Sequence, residues 1–228
     1  MQEVSAVLEQ AHRDDRLERV SHFAGIRRPK RLLDLILSSL MLVASAPAFL
    51  VVSLLIKLED RGPVFFKQER WGRGGKIFTI RKFRTMRSPA GVNPNVLHTP
   101  GITRLGRFLR RTGMDELPQL ATIFKGEMSF VGPRPLAVGE IVKDGQGRDV
   151  HYEDIPGFDK RLSVLPGLTG LATVYIPKDG HPRRKFHYDL LYVRKQSLCL
   201  DLKLIALSFL ISFGGRWDLS NATANQRK

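Results

Sequence analysis

The sequence predicts a mixed α/β (α+β) protein that enters a membrane from one side through an N-terminal apolar helix. The 22 residues from Leu35 to Ile56 carry no formal charge. Basic residues stand at both ends of this run, and the chain after it alternates between strand-like and helix-like patterns. The single cysteine among 228 residues, Cys199, excludes a fold stapled by disulfide bonds within the chain.

The net charge of +15 indicates a polyanionic partner. Residues 1–26 hold five acidic and three basic side chains, so the positive surplus lies entirely in the rest of the chain. Nucleic acid, an anionic membrane surface and phosphorylated substrates all fit such a surplus. The six histidines show no ligand spacing with each other or with the cysteine, which excludes a zinc module.

The apolar run is long enough to cross a bilayer, because 22 helical residues extend about 33 Å. Two features favour a re-entrant helix that bends and returns to the same side. Pro47 lies near the middle of the run, where proline removes a backbone donor. Lys and Arg flank both ends of the run, and the positive-inside rule therefore predicts that both ends are cytoplasmic. A simple spanning helix is the alternative.

Four regions follow from these patterns. We divide the chain into an N-terminal extension at 1–26, a membrane helix at 27–58, a catalytic body with interfacial amphipathic helices at 59–213, and a polar tail at 214–228. The second apolar run, Leu204 to Phe213, has ten residues and is too short to span. It is therefore predicted to be an interfacial or core helix.

The body begins with two stretches rich in β-formers, Val64–Trp71 and Lys76–Met86, which predict a hairpin closed by the glycine-rich segment 72–75. Helices are predicted over Leu105–Arg111 and Asp115–Lys125, and again over 184–196 and 200–213. This mixture gives a small α/β or α+β unit.

The most suggestive chemical feature is the adjacent pair Asp115-Glu116, predicted to open a helix. Acids at a helix start are often only caps that satisfy free amides. Many cations stand around this pair in the sequence, and Arg134 lies on a rigid Pro-Arg-Pro turn. Acids among so many cations favour a site for phosphates and a divalent metal. The cations in question are Arg81, Lys82, Arg84, Arg104, Arg107, Arg110, Arg111 and Arg134.

Seven motifs stand in one order between residues 27 and 213, and together they resemble the bacterial sugar transferases. More closely, they are similar to the small monotopic phosphoglycosyl transferases that hold little beyond a catalytic core. The motifs are Arg31-Leu-Leu-Asp34, Gly62-Pro-Val-Phe-Phe-Lys-Gln-Glu-Arg70, Lys82-Phe-Arg-Thr-Met86, Asp115-Glu-Leu-Pro-Gln119, Gly126-Glu-Met-Ser-Phe-Val-Gly-Pro-Arg-Pro135, Pro166-Gly-Leu-Thr-Gly170 and Tyr192-Val-Arg194.

The resemblance implies transfer of a sugar-1-phosphate from a UDP-sugar to undecaprenyl phosphate, with release of UMP. It implies that Asp115 is the nucleophile, that Glu116 assists, and that both carboxylates hold Mg²⁺, with Mn²⁺ as an alternative. Phosphates would be bound by Lys82, Arg84, Thr85, Arg111 and Arg134. This is the first membrane step of surface polysaccharide or glycoconjugate synthesis.

The resemblance also implies a location on the cytoplasmic face of the bacterial inner membrane. Anionic inner-leaflet lipids and downstream glycosyltransferases would be partners, and nucleic acid would not. One departure concerns the helix break, which is commonly Ser-Pro in this family. Here Ala46 precedes Pro47, and Ser45 stands one place earlier.

Two competing functions remain at this point. A membrane-tethered nucleic-acid binder would use the basic body, with phenylalanines as stacking groups. A non-catalytic membrane scaffold would bind lipid and turn nothing over. Neither explains Asp115-Glu116. The phenylalanines concerned are Phe65, Phe66, Phe78 and Phe83.

Overall fold

Seven α-helices, six β-strands and three short 3₁₀ turns make up the part of the chain that this computed structural model describes, residues 2–87, 101–144, 146–177 and 180–213. The predicted polar tail at 214–228 lies outside these residues. The helices are α1 (Gln2–Asp60), α2 (Arg104–Thr112), α3 (Gln119–Lys125), α4 (Phe158–Arg161), α5 (Leu171–Tyr175), α6 (Pro182–Lys195) and α7 (Leu198–Phe213).

The strands form three separate two-stranded sheets. The predicted hairpin is confirmed as an antiparallel pair, β1 (Phe65–Trp71) with β2 (Ile77–Phe83), in which Phe65 faces Phe83. Strand β3 (Ser129–Val131) pairs in parallel with β6 (Gly167–Thr169). Strands β4 (Ile141–Lys143) and β5 (Asp149–His151) form a second antiparallel hairpin.

Helix α1 runs continuously for 59 residues and includes the apolar segment. Within the described residues, Arg28–Glu59 is the one stretch long and apolar enough to cross a membrane. The helix continues through Pro47, so the predicted break is not confirmed. Proline removes only one amide, and the Ser45 hydroxyl donates to the Met41 carbonyl oxygen at 2.6 Å. The displaced serine therefore bonds back to the helix.

One face of α1 packs on the body along the whole apolar segment. Asp34, Ser38, Val52 and Ile56 are buried at helical spacing. The opposite face is apolar and exposed, which is the expected pattern for a helix that contacts lipid on one side only. Its large exposed side chains are Leu32, Ile36, Leu40, Val43, Leu50, Leu54 and Leu58.

Helix α1 contributes to two hydrophobic cores. Its first apolar half packs through Leu37, Met41 and Leu42 on the core that contains α3, β3 and α7. Its second half packs through Val52 and Ile56 on Phe83 and Leu109. A third core of Leu136, Ile155, Phe158 and Phe186 lies under the β4–β5 hairpin. Both ends of the apolar segment therefore contact the same body.

Polar contacts fix the first half of α1 in place. The Lys30 ammonium donates to Asp201 at 2.6 Å, to the Val131 carbonyl at 2.9 Å and to the Tyr192 hydroxyl at 3.2 Å. Arg31 donates to the carbonyls of Ile123 and Phe124 at the end of α3. Buried charges of this kind must be paired, so they specify how α1 sits on the body.

Candidate active site

The acid pair lies in a 3₁₀ turn, Met114–Glu116, that precedes α3. The prediction of one helix from Asp115 to Lys125 is wrong, because Pro118 has no amide to continue the α-helical ladder. The amides of Glu116 and Leu117 instead bond to carbonyls three residues back, at 3.1 and 3.2 Å. Asp115 is therefore not the N-cap of α3, which begins after Pro118.

A left-handed glycine sets the direction of this turn. Gly113 has φ 72° and ends α2, a conformation that L side chains rarely adopt. The chain then reverses and leaves both carboxylates half-buried beside β2. The local sequence Gly-Met-Asp-Glu-Leu-Pro thus places the two acids next to one another, between a glycine turn and a proline.

Lys82 is the predicted phosphate-binding residue that the structure brings to the pair. Its ammonium donates to Glu116 Oε1 at 2.5 Å, from near the end of strand β2. Both side chains are only partly exposed, which strengthens the attraction relative to a surface pair. Lys82 thereby supplies positive charge immediately beside the acid pair.

Burial raises the pKa of Asp115 above its ordinary value, and the adjacent Glu116 charge raises it further. Lys82 and Arg110 oppose this shift of the Asp115 pKa without cancelling it. Asp115 is therefore a carboxylate whose negative charge is incompletely neutralised by the protein. Such a group gains from any cation that enters the site.

Arg110, which the sequence analysis named among the surrounding cations but not among the phosphate-binding residues, supports the site from α2. Its Nε donates to the Thr85 hydroxyl at 2.9 Å, and Thr85 is itself buried. Helix α2 approaches the backbone of Thr85 closely at Gly106. A Cβ on Gly106 would lie 2.1 Å from the Thr85 carbonyl oxygen, so the absence of a side chain there allows the approach. Thr85 thus orients an arginine that acts on Asp115, and its binding of phosphate stays a prediction. The neighbouring Arg111 lies exposed in the last turn of α2.

Arg84 is buried where the chain leaves α1. A Cβ on Gly62 would lie 1.7 Å from Arg84 Nη1, so only glycine leaves room for this guanidinium. The backbone amide of Arg84 donates to the Val64 carbonyl at 2.9 Å. The structure thus places Arg84 against the turn that follows the membrane helix, and its role toward phosphate stays a prediction.

Arg134 projects from its turn while the turn itself is held rigidly. Its side chain is exposed, and Pro133 and Pro135 on either side are buried. The Arg134 carbonyl accepts a hydrogen bond from Arg161 Nη2 at 2.8 Å. Arg161 is in turn paired with Asp189 at 2.7 Å, deep in the body. This buried pair fixes the Pro-Arg-Pro turn.

Arg70 contacts the Pro-Arg-Pro turn through its side chain. Its guanidinium donates to the Pro135 carbonyl at 3.1 Å. Burial lowers the pKa of Arg70, Arg134 lowers it further, and Glu140 and Glu116 oppose the shift. Arg70 is therefore influenced by the charges of both Arg134 and Glu116. Sequence reasoning missed Arg70, although it lies inside one of the quoted motifs.

The residues present fit a Mg²⁺ ion whose coordination shell would be completed by water and substrate phosphates. Among the described side chains, no group of three His, Cys, Asp or Glu residues forms a full protein cage for a metal. Mg²⁺ typically takes one or two carboxylates and fills its other positions with water and substrate phosphates. Asp115 and Glu116 provide two such carboxylates, and the repulsion that raises the Asp115 pKa is what a divalent cation would relieve.

The phenylalanines that a nucleic-acid binder would use for stacking are mainly core residues. Phe83 is 1% exposed and stacks on Phe65 with ring centroids 5.5 Å apart. Phe65 and Phe78 pack against two of the hydrophobic cores. These rings are engaged in the body, which removes the main support for that alternative.

Comparison with known proteins gives a family match and several curated relatives. A family profile described as bacterial sugar transferase matches residues 26–215. The exopolysaccharide production protein PSS of Rhizobium leguminosarum bv. phaseoli is 40% identical over 77% of this chain and 90% of its own length.

Two further relatives are longer proteins. The UDP-glucose:undecaprenyl-phosphate glucose-1-phosphate transferase of Klebsiella pneumoniae is 38% identical over 81% of this chain, and the match covers 40% of that protein. A UDP-N-acetylgalactosamine-undecaprenyl-phosphate N-acetylgalactosaminephosphotransferase from Aeromonas hydrophila is 33% identical over 82% of this chain and 45% of its own length. The present chain thus spans less than half the length of these two relatives.

Proposed function

Because the chain belongs to the bacterial sugar transferase family, we propose that it transfers a sugar-1-phosphate from a UDP-sugar to undecaprenyl phosphate and releases UMP. The observation that carries this proposal is the half-buried Asp115 beside Glu116, with Lys82 bonded to Glu116 and the charge of Arg110 acting on Asp115. The names of the Klebsiella and Aeromonas relatives specify the same type of reaction with different sugars.

In the first step, an Asp115 oxygen attacks the phosphorus that carries the sugar. A bond forms between this oxygen and phosphorus while the bond to the bridging oxygen of the diphosphate breaks, and UMP leaves with that electron pair. In the second step, an oxygen of undecaprenyl phosphate attacks the same phosphorus and displaces Asp115. The two steps allow a water-soluble donor and a lipid acceptor to react in turn.

Each neighbouring residue has a distinct role in this scheme. Asp115 and Glu116 would hold Mg²⁺ or Mn²⁺, which when bound neutralises charge on the diphosphate. Lys82 and Arg110 reduce the repulsion between the attacking carboxylate and the anionic donor. Arg134 is positioned to bind a donor phosphate, since its backbone is locked and its side chain is exposed.

We further propose that α1 enters one leaflet of the inner membrane from the cytoplasmic side, as a re-entrant helix bent near Pro47. Support comes from the two ends of the apolar segment, which both contact the same body. Lys30 bonds to Asp201 at one end, and Glu59 accepts from the Arg104 amide at 3.1 Å at the other. Contacts of one body with both ends support a placement of that body on one side of the bilayer.

The test is a transfer assay with the full chain in lipid, Mg²⁺, undecaprenyl phosphate and a panel of UDP-sugars, including UDP-glucose and UDP-N-acetylgalactosamine. The proposal predicts UMP that depends on the acceptor and is lost in Asp115→Asn. Asp159→Asn, an exposed aspartate in α4, is the matched control and should release UMP normally. UDP in place of UMP would mean ordinary glycosyl transfer and would refute the proposal.

A further inference from the structure

A cleft of about 680 Å³ opens beside the start of the apolar part of α1. Its walls come from α1, the turn containing Arg73, residues 163–165 and the end of α3 at Lys125. The acid pair precedes the first residue of α3, whereas the last residue of α3, Lys125, lines the cleft. The two ends of α3 are about 10 Å apart, and none of the predicted phosphate-binding side chains lines the cleft.

Positive charge dominates this cleft. Five cations and a single carboxylate, Asp34, are among its lining residues. Two of these cations are engaged internally, one with Asp201 and the other with carbonyls of α3. The other three are exposed, and no carboxylate pairs with them within the part of the chain that the structure describes. The engaged cations are Lys30 and Arg31, and the unpaired ones are Arg28, Arg73 and Lys125.

Apolar side chains form much of the remaining wall, together with three polar ones. Leu32 and Leu35 line the cleft from α1, and Val164 and Leu165 line it from the facing loop. Leu32 is 59% exposed and continues into the exposed apolar face of α1. A ligand that fills this cleft would therefore combine an anionic group with a hydrocarbon chain that runs along the helix toward the bilayer.

We propose that this cleft binds an anionic glycerophospholipid, with its phosphate between Arg73 and Lys125 and an acyl chain along Leu32 and Leu35. A free phosphate would leave the apolar wall unused. The polyprenyl acceptor is disfavoured as well, because its phosphate must reach Asp115, which precedes the other end of α3 and does not line the cleft. The bound lipid would be a fixed component that sets the depth of α1. This inference rests on the proposed membrane placement, and not on the chemistry at Asp115.

The experiment is native mass spectrometry of the full chain in detergent with added phosphatidylglycerol or phosphatidylcholine. We expect one phosphatidylglycerol to be retained per chain, in preference to phosphatidylcholine. Arg73→Gln/Lys125→Gln should weaken retention roughly 30-fold, since each basic residue near anionic lipid contributes about a factor of five. Arg183→Gln/Arg184→Gln removes the same charge from exposed positions of α6 and should leave retention unchanged.

Three outcomes would overturn the inference. Equal loss of lipid in both double variants would mean that overall charge, rather than the cleft, attracts the lipid. Displacement of phosphatidylglycerol by an equal concentration of inorganic phosphate would indicate a free-phosphate site. Preference for undecaprenyl phosphate would make the cleft an acceptor site. The Asp115→Asn chain should retain phosphatidylglycerol as the parent does, so this inference and the proposed reaction can fail separately.

Discussion

Two aspartates in this protein, one buried and one half-buried, differ in how far the protein neutralises their charge. Asp201, in the anchor of α1, is 1% exposed and receives hydrogen bonds from Lys30 at 2.6 Å and from Tyr192 at 2.7 Å. Asp115, in the acid pair, is half-buried next to a second carboxylate, and burial together with that neighbour raises its pKa. One carboxylate is fully partnered, whereas the other is incompletely neutralised.

The difference separates a structural charge from a reactive one. A buried carboxylate with a cation and a hydroxyl as partners specifies geometry and has no oxygen available for chemistry. A carboxylate held beside another acid retains its affinity for an incoming cation and for an electrophilic phosphorus. Variants in the two regions should therefore fail differently, the first in folding and the second in turnover.

The largest effect is expected for Asp115→Asn, which should lower turnover at least about 10³-fold because it removes the proposed nucleophile. Its stability should be unchanged or higher. A raised pKa means that the folded chain holds a proton longer than the unfolded chain, so stability falls as the pH rises through that window. The asparagine variant lacks this decrease. Thermal unfolding at acidic and neutral pH, beside the transfer rate, checks both statements.

A large loss of stability, rather than of turnover, is expected at the anchor, the Lys30–Asp201 pair. Lys30→Met leaves Asp201 buried without its cation and should cost about 3–5 kcal/mol in the free energy of unfolding. Lys57→Met, at the exposed far end of α1, is the control and should cost little. Adding Asp201→Leu to Lys30→Met should recover much of the loss. Equal unfolding free energies for the two single variants would show that the anchor does not stabilise the fold.

A smaller effect on activity is expected for Arg161→Lys. Lysine can pair with Asp189 but cannot also reach the Arg134 carbonyl. The Pro-Arg-Pro turn therefore loses the hydrogen bond that Arg161 donates to it. Misplacing a binding arginine in this way should lower kcat/KM by about 10- to 100-fold, mainly through KM for the UDP-sugar. Steady-state kinetics over donor concentration measures this, with the exposed Arg148→Lys as the control. An unchanged donor KM would contradict the positioning role.

The smallest effect is a shift in pH dependence. Glu116 raises the pKa of Asp115, so Glu116→Gln should move the acidic limb of the pH–rate profile to lower pH. Lys82 lowers the pKa of Asp115, and Lys82→Met should move the same limb to higher pH. Rates measured across pH at one Mg²⁺ concentration test both predicted shifts. Shifts in the same direction would contradict the assignment of Asp115 as the titrating nucleophile.

Elements with a local signature were predictable from the sequence. The β1–β2 hairpin and helices α2, α6 and α7 follow from alternation, periodicity and turn residues. The acid pair and Lys82 were found from residue type and context. The error at Asp115 was also local, because Pro118 separates the 3₁₀ turn from α3 and its effect was underestimated.

The unpredicted features depend on contacts between distant residues. Lys30 and Asp201 are 171 positions apart, and Arg161 and Asp189 are 28 apart. No periodicity or motif links such partners, since only the packed body brings them together. Arg110 was named only as one of many surrounding cations, and Arg70 was not selected, because the sequence does not show which arginines the fold brings close enough to act on the acid pair.

The most direct test of the central claim is capture of the covalent intermediate. The full chain would be incubated with a reactive UDP-sugar and Mg²⁺ in lipid without undecaprenyl phosphate, quenched, and measured by intact and peptide mass spectrometry. The account predicts a gain of one phosphosugar on the peptide containing Asp115, which disappears when undecaprenyl phosphate is added. UMP release under acceptor-supplied turnover, with no adduct on Asp115 at any time, would contradict it.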